Sequence, residues 1–369
     1  MADPEEITRT FGALADRATA APHGARPRHA PAPRPAPPPP RAAALPRIGL
    51  VLAGGGAKGA YELGVCDYLA EMGMDVAAVS GTSIGALNGA VLAAEPDLRL
   101  GTRRLAAFWE RFSTRSGVAP FADRGLRLDE AGLAAEGTAR QLALFWPRLL
   151  GLRRRAGLLE ELVNEAVDVP GIRAGRPLWV AAYPLKDMPA VPVRLRHLIE
   201  IVRWLGGAQG SVLRLNGLPE EQIRQAVLAS AALPFIFPSR VVDGCAYLDG
   251  GLGGPGDRTP VRAFAEQEHC DVLVVVHLHP DAVVSPSSTA RFLRIDIRPS
   301  VPIVPPGPLG PLSGMLAFSP ERVRGLRVLG FEDARARFTE TRRLLAARAG
   351  LADAEARMLA ALARLGRGG

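Results

Sequence analysis

The chain has 369 residues, 48% of them hydrophobic, and a formal net charge of +8. This hydrophobic fraction supports a sizeable folded core and excludes a chain that is disordered throughout, and no run of about 20 apolar residues predicts a membrane-spanning helix. The acidic N-terminus, Met1–Glu6, leads into no apolar run. We therefore expect no signal peptide and a cytoplasmic protein, with peripheral contact at the inner membrane surface as an option.

The positive charge comes almost entirely from arginine, since Lys58 and Lys186 are the only lysines among 45 basic residues. A basic surface can attract nucleic acid or an anionic membrane. The abundance of arginine, alanine and proline is typical of the coding bias of a GC-rich genome, and this explanation accounts best for the charge. We expect no nucleic-acid partner, and an anionic lipid surface is the functional interpretation that fits best.

The first 46 residues are predicted to be disordered. Ala20–Pro46 contains 10 of the chain's 33 prolines, separated mainly by alanine and arginine. Such a segment lacks apolar side chains to bury, so we expect it to stay extended. The folded part should therefore begin near Arg47.

From there the sequence alternates between short apolar runs and segments with helical spacing. The predicted strands are Ile48–Ala53, Val76–Ser80, Leu178–Tyr183 and Val272–Leu278. The predicted helices include Tyr61–Met72 and Ile84–Ala94. Continuous apolar runs are typical of buried parallel strands, and strands that alternate with helices predict a three-layer α/β/α fold with a mostly parallel sheet.

Two further helical regions complete the predicted organisation. Residues 99–176 are predicted to form a mostly helical insertion beside the sheet, and Phe331–Leu365 to form one long helix or two. The sequence therefore predicts one large domain over residues 47–333 and a helical C-terminal extension over residues 334–369.

The cysteines and histidines do not predict a metal site. Cys66, Cys245 and Cys270 lack metal-ligand spacing and are expected to be reduced. His277 and His279 would share one face of a strand, but no third ligand is evident near them. We expect neither a metal nor a cofactor.

A glycine-rich loop, Gly54-Gly55-Gly56-Ala57-Lys58-Gly59, follows the first predicted strand and precedes a helix. It satisfies the dinucleotide-binding pattern G-x-G-x-x-G, which has low specificity when it stands alone. That interpretation also needs an acid at the end of the second strand to bind the ribose, where this chain has Ser80-Gly81-Thr82. The phosphate-loop pattern fails as well, because no serine or threonine follows Lys58.

An oxyanion hole is the alternative interpretation of this loop. The consecutive glycines Gly54, Gly55 and Gly56 let backbone N–H groups approach a substrate oxygen without obstruction by Cβ atoms. The following helix favours negative charge at its N-terminus, and Lys58 would strengthen that field. A turn that merely packs a helix against a strand is the structural alternative, and the next motif favours the oxyanion hole.

The segment Gly81-Thr82-Ser83-Ile84-Gly85 has the G-x-S-x-G form between a predicted strand and a predicted helix. This context predicts a sharp turn that exposes the Ser83 hydroxyl, with glycines where side chains would collide. Ser83 would lie at the helix N-terminus, whose dipole favours an anionic oxygen. We predict that Ser83 is a nucleophile.

A serine nucleophile needs a base, and none of the six histidines stands in an evident turn after a strand. Asp249 ends a predicted strand and is followed by Gly250 and Gly251, which leave open space beside its carboxylate. We predict that Asp249 is the base, in a serine–aspartate dyad without histidine.

Two nearby acids are interpreted as structural. Asp243-Gly244 lies between two short apolar runs and predicts a tight hairpin turn. Asp257 lies in a glycine-rich loop, just before Thr259-Pro260, which predicts a helix capped by the threonine.

Together these motifs resemble the patatin-like phospholipases, over about residues 47–333. Gly54–Gly59 is similar to the oxyanion loop of that family, Gly81–Gly85 to its nucleophile elbow and Asp249–Gly251 to its Asp-Gly-Gly/Ala motif. Ala229–Pro234 is similar to a further block that shapes the wall near the site.

The resemblance implies a Ser83–Asp249 dyad, no metal, and hydrolysis of acyl esters in phospholipids or related lipids through an acyl-enzyme intermediate. The backbone amides of Gly55 and Gly56, joined by that of Ile84, would bind the oxyanion. The partner that follows from this resemblance is an acyl-lipid substrate.

Two segments bear on how such a site would meet a lipid. The loop Leu252–Pro260 is longer and richer in glycine than the family pattern, so we expect the rim to differ there. Leu142–Leu159 combines Phe145-Trp146 with Arg153–Arg155. This composition suits an interfacial segment, but an ordinary helical insertion with solvated arginines is the favoured interpretation.

Two other functions stay open at the level of the sequence. A non-catalytic scaffold with the same fold is one, although both dyad positions are occupied. A nucleotide-binding oxidoreductase is the other, and it depends on G-x-G-x-x-G alone.

Overall fold

The computed structural model describes residues 46–115, 156–188, 199–200, 203, 209–234, 237–282, 284, 292–304, 315 and 318–365. Two segments singled out in the sequence lie outside these ranges: the proline-rich segment up to residue 45, and the stretch from Leu142 to Arg155 with its aromatic and basic residues. The chain divides into a compact unit, Arg47–Asp333, and a second unit made of Met1–Pro46 and Ala334–Gly369. Ala334–Leu365 of the second unit is helical.

The strands form one eight-stranded sheet that is mostly parallel. In chain order they are β1 (Ile48–Leu52), β2 (Ala78–Thr82), β3 (Leu178–Pro184), β4 (Ser211–Arg214), β5 (Arg240–Val242), β6 (Cys245–Asp249), β7 (Val272–Val276) and β8 (Leu293–Ile297). Their order across the sheet is β5-β6-β3-β2-β1-β7-β8, and β4 also pairs with β3. The pairs among β1, β2, β3, β7 and β8 are parallel, whereas β4, β5 and β6 pair antiparallel.

Helices connect most of these strands. In chain order those of the described ranges are α1 (Ala60–Glu71), α2 (Ile84–Ala93), α3 (Leu98–Arg115), α4 (Ala156–Ala166), α5 (Val169–Ala174), α6 (Glu220–Ser230), α7 (Pro255–Arg258), α8 (Arg262–Glu266) and α9 (Pro320–Leu365). None of them combines the length and the apolar character that crossing a bilayer requires. The described parts of the predicted insertion are mostly helical, as expected.

Both faces of the sheet are covered by helices, which confirms the predicted α/β/α class. On one face, α2 lies so close that a Cβ added to Gly89 would be 3.1 Å from Val79 Cγ1. Ala78 precedes Val79 and therefore points to the opposite face. There it belongs to a buried cluster with Phe264 of α8.

The topology brings three predicted motifs to one edge of the sheet. β1 and β2 are parallel neighbours, with Leu52 paired to Gly81, so the glycine loop and the elbow emerge side by side. β3 pairs with β2 through its residue Ala181, and its next residue, Ala182, pairs with Asp249 at the end of β6. The predicted nucleophile follows β2 and the predicted acid ends β6, so they lie on either side of β3 at this edge.

The predicted hairpin is present, but the predicted helix cap after it is wrong. Asp243 and Gly244 join β5 to β6 with φ angles of 48° and 75°, the left-handed values of a type I′ turn. Thr259 does not cap a helix that follows it: it ends the short helix α7, and α8 begins at Arg262. Pro255 is the helix-starting proline of this segment instead, because it occupies the first turn of α7.

The long C-terminal helix begins earlier than predicted, at Pro320 rather than near Phe331, and it is continuous. The proline suits the first helical position because its missing N–H would be unpaired there in any case. The Ser319 hydroxyl accepts a hydrogen bond from the Arg322 amide at 3.3 Å, which caps the first turn. The strand β2 also differs from the prediction, since it starts at Ala78 and continues through Thr82.

Candidate active site

Ser83 lies in a strained turn between β2 and α2. It is the single residue between the last residue of the strand and the first of the helix, with φ 54° and ψ −119°. A positive φ is unfavourable for any residue with a side chain, and such strain persists where the surrounding structure imposes it. The predicted sharp turn is therefore present, with Ser83 at the N-terminus of α2, but the prediction that it exposes the serine is wrong, because Ser83 is only 6% exposed.

The two glycines of the motif are required by close backbone contacts. A Cβ on Gly81 would lie 2.2 Å from the carbonyl oxygen of Gly85. A Cβ on Gly85 would lie 2.6 Å from the carbonyl oxygen of Leu52 in β1. Because backbone atoms cannot move aside easily, no larger residue fits at either position while the turn keeps its shape.

Ser230, the last residue of α6, holds the elbow from the opposite side. Its hydroxyl accepts a hydrogen bond from the Ser83 amide at 2.8 Å and donates one to the carbonyl of Ala181 at 2.6 Å. The side chain is fully buried. The sequence analysis predicted that the block Ala229–Pro234 lies near the site but assigned no role to Ser230. The only feature of the sequence that pointed to Ser230 was its position in that block.

Asp249 is buried at the end of β6 beside the elbow. Its backbone amide donates to the carbonyl of Ala232 at 3.0 Å, which fixes the strand end. Its Oδ1 accepts a hydrogen bond from the Gly251 amide at 2.8 Å. Its Oδ2 is buried and has no regular hydrogen-bond partner among the described residues, so this oxygen is available to accept a proton.

Burial raises the pKa of Asp249 from its usual value of 3.8 to about 6. The Gly251 amide, the Ser83 hydroxyl and the positive charge of Arg258 each act in the opposite direction. The Ser83 hydroxyl is thus close enough to interact with this carboxylate, although the contact is looser than a regular hydrogen bond.

The glycine loop presents free amides next to Ser83. The amide of Gly54 is occupied, because it donates to the carbonyl of Arg258 at 2.9 Å. The amides of Gly55, Gly56 and Ile84 donate to no other group within the described part of the chain. We therefore remove Gly54 from the set of candidate oxyanion donors and keep the other three.

Gly56 has a reason to be glycine that the sequence did not show. Its φ is 58°, and a Cβ there would lie 2.2 Å from the carbonyl oxygen of Met315. Lys58 is buried on the far side of the loop, where its Nζ donates to the carbonyl of Leu278 at 3.4 Å. Burial lowers the pKa of Lys58 to about 8, helped by the charges of Arg258 and Arg322.

An apolar cavity of about 850 Å³, including its open mouth, adjoins Ser83. Its described lining is almost entirely aliphatic and aromatic, with Ser83 and one ion pair as the polar exceptions. The apolar side chains are Ile84, Leu87, Phe112, Val163, Val227, Leu228, Ala231, Leu233, Phe237, Met315 and Phe318.

The ion pair in the cavity wall joins Glu160 of α4 to Arg240 of β5. Arg240 donates two hydrogen bonds to the carboxylate, at 2.9 and 2.6 Å. A bidentate pair of this kind is held firmly and carries no net charge. The cavity therefore offers a neutral polar patch and an otherwise apolar surface.

The remaining predicted acids and histidines lie elsewhere. Asp257 accepts a hydrogen bond from the Gly210 amide at 2.6 Å and pairs with Arg262 at 3.2 Å, which is a structural arrangement. His277 is buried against Asp296 at 2.8 Å. Among the described residues, no histidine lines the cavity, and no group of histidines, cysteines and acids is arranged to hold a metal.

The chain is similar to known families and proteins. A family model described as patatin-like phospholipase matches residues 50–264. An uncharacterized NTE family protein of Mycobacterium tuberculosis is 25% identical over 263 residues, which cover 70% of this chain and 58% of the relative. The chain therefore spans little more than half the length of that relative.

Two further similarities are more limited. A lysophospholipase of Cryptococcus neoformans is 37% identical over 92 residues, which cover 25% of this chain and 5% of that protein. Among solved structures, VipD from Legionella pneumophila is 15% identical, with 80% of this chain and 67% of that chain covered at a TM-score of 0.39.

Proposed function

The chain belongs to the patatin-like phospholipase family, and from that premise we propose that it is a serine hydrolase that cleaves acyl esters of phospholipids or related lipids. The observation that carries the proposal is the strained Ser83 beside a buried, partly unpaired Asp249 at an apolar cavity. Backbone strain and a base of raised pKa cluster at catalytic sites, and here both adjoin an apolar cavity.

The first half of the reaction transfers the acyl group to the enzyme. Oδ2 of Asp249 takes the proton of the Ser83 hydroxyl as Oγ attacks the ester carbonyl carbon. The tetrahedral intermediate then collapses, the bond to the leaving alcohol breaks, and Asp249 returns the proton to that oxygen. The product is an acyl ester on Ser83 and a free alcohol.

The oxyanion formed in this step would be bound by the amides of Gly55, Gly56 and Ile84. Gly55 and Gly56 carry no Cβ, so a substrate oxygen can approach their N–H groups closely. Ile84 is the first residue of α2, a ten-residue helix, and its amide shares the positive end of that helix. Lys58 would add positive charge behind the loop.

The second half of the reaction regenerates the enzyme. Asp249 takes a proton from a water molecule, whose oxygen attacks the acyl carbonyl, and the proton passes to Oγ of Ser83 as the acyl bond breaks. The fatty acid leaves through the cavity. The same carboxylate serves both halves, so no histidine is needed.

The character of the cavity supports a lipid acyl chain as the bound group. A hydrocarbon chain gains about 25 cal/mol for each Å² of apolar surface that it removes from water. The lining offers eleven apolar side chains within the described residues. We propose that the acyl chain lies along them, with its carbonyl at Ser83.

Contact with a membrane surface stays a proposal supported by composition alone. The segment that suits an interface, Leu142–Leu159, lies outside the described residues except for its last four. Arginines would meet anionic head groups there, and Phe145 and Trp146 would enter the boundary layer. We expect a variant that combines Trp146→Ala with acidic residues at Arg153–Arg155 to lose binding to anionic vesicles. Unchanged binding would refute the membrane contact.

The proposed activity is tested by the Ser83→Ala variant. Vesicles of a phospholipid are incubated with each protein, and released fatty acid is measured by mass spectrometry. We expect release by the wild type and at least a roughly 10³-fold lower rate from Ser83→Ala with an unchanged circular dichroism spectrum. Equal release by both proteins would contradict the proposal.

A further inference from the structure

A buried polar network lies behind the glycine loop and takes no part in the proton transfers described above. Its members are Glu62 of α1, Asn88 of α2 and Trp109 of α3, and all three side chains are inaccessible to solvent. Buried polar groups carry a desolvation penalty that an apolar side chain of the same size would avoid. Their arrangement therefore needs a physical explanation.

Asn88 is the centre of this network. Its Nδ2 donates to Glu62 Oε2 at 2.8 Å and to the carbonyl of Gly59 at 3.0 Å. Its Oδ1 accepts a hydrogen bond from Trp109 Nε1 at 3.1 Å. Because the indole can only donate, it fixes the orientation of the amide and directs Nδ2 toward the loop.

The network contacts both segments that carry the candidate oxyanion donors. Gly59 closes the glycine loop, and a Cβ there would lie only 2.5 Å from Ile84 Cγ1 and 3.2 Å from Asn88 Nδ2. The end of the loop is therefore packed directly against the start of α2. At the other end of the loop, the backbone amide of Ala53 is close enough to the Glu62 carboxyl to lower its pKa.

Glu62 fits this place as a neutral acid. Burial raises its pKa well above the usual value, while Asn88, Ala53 and the charge of Lys58 act in the opposite direction. Its Oε1 makes no regular hydrogen bond with any residue that the structure describes. A protonated carboxyl needs no counterion, yet its second oxygen still accepts the hydrogen bond of Asn88.

We propose that Glu62 and Asn88 are positioning residues that fix the glycine loop relative to the start of α2. Their function is to make the amides of Gly55, Gly56 and Ile84 converge on a single oxygen atom. This inference rests on the proposed function, because it concerns the oxyanion site of that reaction.

The matched variants are Glu62→Gln and Glu62→Leu. Glutamine keeps a neutral acceptor for Asn88, whereas leucine keeps the volume and removes the acceptor. We expect Glu62→Gln to stay within about 3-fold of the wild-type kcat on a soluble p-nitrophenyl ester. Since one oxyanion donor is worth roughly 10²–10³ in rate, we expect Glu62→Leu to lose about 10–100-fold in kcat with KM changed by less than about 3-fold.

Trp109→Phe is a second, milder variant, in case leucine at position 62 prevents folding. It keeps an aromatic ring against Phe112 and Phe318 but removes the hydrogen bond to Asn88. We expect a decrease of about 3–10-fold in kcat, and a parallel decrease in the rate at which a fluorophosphonate labels Ser83.

The outcomes separate this inference from the proposed function. If the wild type hydrolyses the ester and Glu62→Leu or Trp109→Phe is equally fast, the positioning role alone is overturned. The positioning role is also overturned if Glu62→Leu changes KM without changing kcat, or if Glu62→Gln and Glu62→Leu lose kcat equally. A wild type that neither hydrolyses ester nor reacts with the fluorophosphonate overturns both proposals.

Discussion

Asp249 combines deep burial with the proposed role of general base. Its carboxyl is buried, and one of its oxygens has no regular partner among the described residues. Burial disfavours the charged form, which raises the pKa to about 6 and makes the carboxylate a better base than an exposed aspartate. The same burial makes the ionised side chain unfavourable for folding. Both consequences can be measured.

The activity should depend on pH with the ionisation of Asp249. Since the base must be unprotonated, kcat/KM for a soluble ester should rise about tenfold per pH unit below about 6 and level off above it. The measurement is a rate profile from about pH 4.5 to 8, with circular dichroism at each pH as a control for folding. A midpoint near the ordinary aspartate value, or a flat profile, would contradict this role.

Asp249→Asn should stabilise the folded protein at neutral pH. The folded pKa lies above the unfolded value, so the wild type loses stability as pH rises from about 4 to about 6, and asparagine avoids that loss. A shift of this size corresponds to about 2–3 kcal/mol in the free energy of unfolding. Urea unfolding should show this gain at about pH 7 and almost none at about pH 4.

Asp243→Asn is the matched control for this stability measurement. Asp243 is exposed in the hairpin turn at φ 48°, a conformation that asparagine also accepts. Its substitution should change the free energy of unfolding by less than about 0.5 kcal/mol. A gain as large as that of Asp249→Asn would show that the effect is general and not due to burial.

At the level of elements, the elbow depends on contacts between a strand, a turn and a helix. Gly81 lets β2 pack closely against the start of α2, Gly85 lets α2 pack closely against β1, and Ser230 of α6 holds the Ser83 amide in place. The glycine positions follow from a sequence motif, because they are local. Ser230 lies 147 residues from Ser83, so no local pattern could indicate the hydrogen bond between them.

Gly81→Ala should disrupt the elbow. The added Cβ would lie 2.2 Å from the Gly85 carbonyl oxygen, so we expect a loss of about 3 kcal/mol or more in the free energy of unfolding, together with the loss of esterase activity. Gly217→Ala is the control, because a Cβ there meets no atom within 4 Å. That variant should stay within about 1 kcal/mol of the wild type. Equal effects of both substitutions would argue against the close contact.

The same distinction between local and distant contacts explains what the sequence could predict. Apolar runs and glycine turns predict the strands, the elbow and Asp249 at a strand end, since each depends on neighbours in the chain. The hydrogen bond from the Gly54 amide to the Arg258 carbonyl joins residues that are far apart in sequence, so no local pattern could predict it. The start of α9 at Pro320 was missed although it carries local signals, a serine cap and a helix-starting proline.

For the whole molecule, the sheet is the frame that brings distant segments to one edge. The glycine loop follows β1, Ser83 follows β2, and Asp249 ends β6, with β3 between the last two. The apolar cavity lies at this edge, and its wall includes residues of α3, α4 and α6. The net charge was attributed mainly to coding bias and offered a lipid surface only as the best functional interpretation, whereas the apolar lining of the cavity supports the proposed lipid substrate directly.

Covalent labelling of Ser83 by a fluorophosphonate tests the central claim most directly. The serine oxygen attacks phosphorus and fluoride leaves, so reaction marks a serine that has been activated as a nucleophile. The account predicts one phosphonyl group on the wild-type chain, located at Ser83 by peptide mass spectrometry. It also predicts slower labelling of Asp249→Asn by about 10²-fold or more and none of Ser83→Ala. A wild-type protein that is not labelled, or is labelled at another residue, would contradict it.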